Sequence, residues 1–91
     1  MKIGVMYYKK ANSMWYVRGG ALIISKSQIK LKYLFKTIFV FPLDKIWVFR
    51  GHDEVFCKGI KVEYSESCYY LYFLPKTADK VYSYLLSHSG S

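Results

Sequence analysis

The sequence predicts a mainly β domain closed by a single C-terminal α-helix, and three observations carry that prediction. Hydrophobic residues make up 53% of the 91-residue chain and Phe, Trp and Tyr alone 20%, a composition suited to an aromatic β core and far from that of a disordered chain. Between Gly20 and Leu74, short runs of alternating apolar and polar residues are punctuated by Gly, Pro, Ser and Asp. After Pro75 the apolar spacing changes from the two-residue period of a strand to that of a helix. A chain of this length buries roughly 60–65% of the surface it exposes when unfolded, so residues 1–91 are expected to form one domain around one modest core.

Residues 1–18 contain the short apolar stretch Ile3–Tyr8 and are expected to supply the first strand or two. Ala21–Ser25 reads as a strand, Lys26-Ser27 as a turn, and Gln28–Phe35 as its antiparallel partner, with Ile29, Leu31 and Tyr33 on one face and Lys30 and Lys32 toward solvent. Thr37–Phe41 is a β-branched and aromatic run, and Pro42 bends it or marks a sheet edge, because proline donates nothing to a ladder. Lys45–Arg50 is a further strand, in which Ile46 and Val48 alternate with Trp47 and Phe49 before a turn at Gly51-His52-Asp53. Between Val55 and Tyr64 the apolar phase slips by one residue, which predicts a bulge near Lys58-Gly59. A turn at Ser65-Glu66 then sets the register of the last strand, Cys68–Leu74: Val62 faces Tyr69, Ile60 faces Leu71, and Cys57 lies near Leu74 rather than Cys68, which argues against a disulfide. Ala78, Val81, Tyr82 and Leu85 follow the stripe of an amphipathic helix over residues 75–87, started by Pro75 or Thr77. Asp79 suits the positive end of its dipole, and the chain is expected to fray from Ser87 onward.

Six or seven antiparallel strands followed by one closing helix is the element order of a pleckstrin-homology-like (PH-like) barrel. Gly20-Ala-Leu-Ile-Ile-Ser-Lys-Ser-Gln-Ile-Lys-Leu31 resembles the "G-x-L-x-(I/L)-T-x-x-x-(I/L)-x-(F/L)" opening of GRAM and bacterial PH-like domains. Phe41-Pro-Leu-Asp-Lys-Ile46 resembles their "I-P-L-x-x-I" segment, and Leu71-Tyr-Phe73 their closing strand. The tryptophan common in the C-terminal helix of PH domains is replaced by a region containing Tyr82 and Tyr84, which places the resemblance on the GRAM and bacterial side. The resemblance implies an antiparallel barrel or sandwich capped by the helix. It also implies a non-catalytic interaction module that binds a protein partner or, peripherally, an anionic phospholipid surface. Lys26, Lys30 and Lys32 are similar to the Lys-xn-(Lys/Arg)-x-Arg pattern with which headgroup-binding members surround a phosphate cluster. Independently of any family, alternate residues of one strand project to one face and share an anion, although lysine offers a point charge where arginine offers a fork.

Fourteen Lys and Arg against six Asp and Glu give a net charge of +8, which favours phospholipid, nucleic acid or an acidic protein surface as partner. Thirteen of the fourteen cations are spread from Lys9 to Lys80, so any basic patch is assembled by folding. A second candidate surface comes from Tyr70 and Tyr72, which alternate outward from Tyr69, Leu71 and Phe73, with Lys61 opposite Tyr70 as a cation–π partner. Trp15 and Trp47 are assigned to the core. Two further readings are a small nucleic-acid-binding β-barrel, with lysines along the backbone and tyrosines under the bases, and a self-assembling or inhibitory protein of viral or mobile-element type acting through its strand edges.

Catalysis is not expected. The strongest polar cluster, His52, Asp53 and Glu54, is ordinary turn chemistry, and Gly19-Gly20 leads into a strand rather than a phosphate-binding helix. Cys57 and Cys68 have neither CxxC spacing nor a histidine at ligand distance, so neither a metal nor another cofactor is expected. The longest apolar run, Thr37 to Leu43, is far short of the roughly 20 residues of a spanning helix and contains Pro42. With no signal-peptide pattern in the first residues, the expected location is cytoplasmic, with membrane contact peripheral at most.

Overall fold

The computed structural model describes residues 2–9, 18–51, 53 and 56–89. Seven strands precede one helix: β1 (Lys2–Lys9), β2 (Arg18–Ile24), β3 (Gln28–Tyr33), β4 (Lys36–Pro42), β5 (Trp47–Arg50), β6 (Lys58–Tyr64), β7 (Ser67–Phe73) and α1 (Pro75–His88). One 3-10 turn, Leu43–Lys45, joins β4 to β5. All neighbouring strands are antiparallel in a single sheet ordered β4-β3-β2-β1-β7-β6-β5. The fold is therefore mainly β with one C-terminal helix. Its N-terminal strand occupies the middle of the sheet rather than an edge.

Strand alternation sorts the side chains into two faces. Val5, Tyr7, Leu22, Ile24, Ile29, Leu31, Phe39, Phe41, Val48, Ile60, Val62, Tyr69, Leu71 and Phe73 turn inward and are buried. β4 and β7 stand four places apart in the sheet, yet the rings of Phe39 and Tyr69 lie 4.6 Å apart and those of Phe41 and Tyr69 6.0 Å apart. The sheet thus curls back on itself and brings β4 against β7 across one aromatic core. Burial pushes the Tyr69 hydroxyl above the ordinary tyrosine range, and the neighbouring Tyr7 adds to the shift.

The register of β6 and β7 agrees with the sequence reading, with Val62 opposite Tyr69 and Ile60 opposite Leu71. The bulge does not lie where the phase change placed it. The β6–β7 ladder runs without a break through Lys58 and Gly59, and the departure from strand geometry sits just upstream, where Phe56 adopts a left-handed φ of 68°. The ladder irregularity is instead between Leu31 and Lys32 in the β3–β4 pair, where Ile38 is the extra residue. Pro42 ends β4, an edge strand, as a residue without an N–H should.

The helix starts at Pro75 and packs Ala78, Val81 and Leu85, all fully buried, over β5, β6 and β7. No acidic residue lies in its first turn. Asp79 instead serves the tertiary structure: Arg50 donates to its carboxylate at 3.1 Å, and the Lys58 ammonium is 3.6 Å away. Arg50 also lies over the Tyr82 ring, 4.1 Å from its centroid. The helix continues through His88, whose ring stacks on Tyr84 with 4.1 Å between centroids, and residues 90 and 91 of the segment expected to fray lie outside the described residues. No helix among the described residues is long and apolar enough to cross a membrane.

Candidate functional site

β1 to β4 form one contiguous half of the sheet, and its outward positions are fixed by register. Lys2 pairs with Ile23, Ile23 with Lys30 and Lys30 with Val40, giving one row across four strands. The adjoining row is Gly4, Ala21, Lys32 and Thr37. With strands about 4.8 Å apart and same-face neighbours about 7 Å apart, Lys30 stands within roughly 10 Å of both Lys2 and Lys32 at the backbone, and Lys2 and Lys32 are roughly 12 Å apart. Lys30 and Lys32 are half-buried along their stems, and no ion pair among the described residues involves Lys26, Lys30, Lys32 or Lys36.

The charge of the whole chain follows the same division. Residues 1–43 contain eight of the 14 Lys and Arg and none of the six Asp and Glu, whereas residues 44–91 contain six of each. The net +8 therefore belongs entirely to the segment that forms β1 to β4, and the β5–β7 and helix half is neutral. An acid-free wall of the sheet concentrates positive potential on one side of the molecule.

The structure brings together only part of the predicted lysine cluster. Lys30 and Lys32 share the outer face, but Lys26 lies at the other end of β3, in a hollow it lines with Ser27, Leu43, Asp44 and His88. Along extended chain Lys26 is about 13 Å from Lys30 and about 20 Å from Lys32, and the nearby Asp44 makes the Lys26 end a poorer anion site. Lys2, in the same row as Lys30, takes its place.

Tyr70 and Tyr72 do alternate outward, but Tyr72 is only 4% exposed. It stands between Met6 and Gly59, and an aromatic ring opposite a glycine covers backbone that no side chain shields. Tyr72 is thus part of the packing and not an open partner surface. Lys61, opposite Tyr70, turns to its other neighbour: its ammonium lies 4.6 Å from the Phe49 ring centroid and 3.5 Å from the Glu63 carboxylate. Trp47, assigned to the core, is 55% exposed, because it shares the outward phase of Phe49 and Glu63 while Ile46 and Val48 take the inward one. Trp15, His52 and Glu54 lie outside the described residues, and Asp53 accepts a hydrogen bond of 3.4 Å from the Gly59 N–H.

The β3–β4 hairpin carries a feature that alternation does not reveal. Its tip consists of Leu34, 78% exposed at a left-handed φ of 57°, and Phe35, fully exposed, followed by Lys36. No protein-family model matches the chain, and comparison with curated proteins and with solved structures likewise found no match.

Proposed function

We propose that this chain is a non-catalytic PH-like interaction module that binds an anionic phospholipid surface peripherally through the outer face of β1 to β4. The observation that carries this reading is the division of charge: the segment 1–43, which supplies β1 to β4, holds the entire net +8, and Lys30 and Lys32 stand side by side on the outer face with no ion pair among the described residues. Seven antiparallel strands followed by one closing helix is the element order that the GRAM-like resemblance implies, which supports the PH-like part of the proposal.

The physics suits a lipid surface. A basic residue near an anionic leaflet contributes about 1 kcal/mol, and the attraction decays over a Debye length of about 8–10 Å. Lysines recognise charge density rather than the geometry of one headgroup, so discrimination among anionic lipids is expected to be weak.

Co-sedimentation with vesicles of phosphatidylcholine and phosphatidylserine tests the site. Lys30→Glu combined with Lys32→Glu is expected to lower the affinity roughly 30-fold or more, with an unchanged circular dichroism spectrum, since two attractions of about 1 kcal/mol are lost and repulsion is added. Unchanged binding by that variant would exclude this face.

A further inference from the structure

Phe35 is the most exposed large apolar side chain among the described residues, and Leu34 beside it is 78% exposed. Both sit at a hairpin tip, a position that Gly, Asn and Asp ordinarily fill because they are at ease in water and in left-handed backbone. Leu34 has neither advantage: it is apolar and branched, and it is held at φ 57°. Folding buries little of Leu34 and nothing of Phe35.

The surroundings of the tip supply the second observation. Lys30 and Lys32 lead into it along β3, Lys36 leads out of it as the first residue of β4, and the whole segment from residue 1 to residue 43 lacks an acid. An apolar point inside a cationic collar is complementary to an anionic bilayer, which offers an acyl region beneath a layer of negative headgroups. Nucleic acid matches the collar and could stack on Phe35, but it provides no apolar phase for Leu34.

We infer that Leu34 and Phe35 insert as a wedge into the headgroup–acyl boundary of an anionic bilayer, with Lys32 and Lys36 held at the headgroups. The inference rests on the membrane reading above and adds to it an orientation and an apolar component. Interfacial segments bury their apolar side about 5–10 Å deep, and a strand advances about 3.3 Å per residue. Lys32 and Lys36, one or two residues behind the tip, therefore reach the headgroup layer as the wedge enters. Lys26, at the far end of β3 beside Asp44, is carried away from the membrane.

The test compares the full chain with Leu34→Ser/Phe35→Ser in vesicle co-sedimentation, using phosphatidylcholine with phosphatidylserine at low and at high salt. Wild type is expected to keep a salt-resistant fraction of its binding. The double variant is expected to bind at least about tenfold more weakly at low salt and to lose the salt-resistant fraction. Surface-pressure measurements on an anionic monolayer give an independent readout, since a wedge raises the pressure and an adsorbed protein does not.

Equal binding and equal pressure for the two proteins would overturn the wedge while leaving electrostatic membrane binding intact. Failure of wild type to bind anionic vesicles at all would overturn the underlying reading as well. Light scattering decides against the remaining occupant, a second copy of the chain: a lipid-free wild-type dimer that the double variant converts to monomer would assign the tip to self-association and sink the proposal.

Discussion

Gly20 occupies a position in β2 where a side chain has nowhere to go. A Cβ there would lie 2.6 Å from the Lys32 carbonyl oxygen and 3.1 Å from Cε1 of Tyr7. The tighter contact is with backbone, which cannot rotate away as a side chain would, and Tyr7 is itself buried in edge contact with Tyr33. Gly20→Ala is expected to destabilise the fold by about 2–3 kcal/mol, read as a lowered urea midpoint. At Leu34 the reasoning reverses. A left-handed conformation costs a bulky residue roughly 1–2 kcal/mol, so Leu34→Gly is expected to stabilise by about 1 kcal/mol after allowing for the greater freedom of glycine in the unfolded chain. The same urea titration checks it, and a stability gain accompanied by weaker vesicle binding would mark Leu34 as kept for binding rather than folding. Residue-level exposure was only partly legible in the sequence. Alternation put Ile46 and Val48 inside, and by the same logic it put Trp47 outside; the assignment of Trp47 to the core followed residue type instead of phase.

The elements were legible wherever period and punctuation agreed. The Ser65-Glu66 turn fixed the β6–β7 register, and Pro75 with its stripe fixed the helix. The Leu31/Lys32 irregularity was hidden because the pattern in β3 continues through it and only the pairing with β4 displays it. How α1 is anchored was also hidden, since Arg50, Lys58 and Asp79 meet only after β5, β6 and the helix are assembled. The hydrogen bond from Arg50, with the charge of Lys58 beside it, holds the Asp79 carboxyl below the usual carboxylate range. A lowered carboxyl pKa contributes stability that is present above the unfolded-state value, near 4, and is lost as pH falls through the folded-state value. Asp79→Asn is therefore expected to flatten the loss of stability between neutral pH and about pH 3 in thermal melts. The effect should be small, because both partners are about half exposed and water screens the pair.

For the whole molecule, the informative quantity is the placement of charge rather than its total. The division between residues 1–43 and 44–91 can be counted from the sequence, but its meaning depends on the topology, which keeps the acid-free strands β1 to β4 contiguous. Likeness to the headgroup-binding pattern, with strand alternation, groups Lys26, Lys30 and Lys32. Folding retained Lys30 and Lys32, moved Lys26 to the far end and brought in Lys2 from a strand two places away. By pattern Leu34 and Phe35 read as the last two residues of the strand Gln28–Phe35, whereas that strand ends at Tyr33. Their exposure becomes evident only once the chain reverses there. The most direct measurement of the central claim is partitioning of the wild-type chain between buffer and vesicles of phosphatidylcholine alone or phosphatidylcholine with phosphatidylserine, across a salt series. The account predicts strong preference for the anionic vesicles, weakening as salt rises; equal partitioning into both, or into neither, would contradict it.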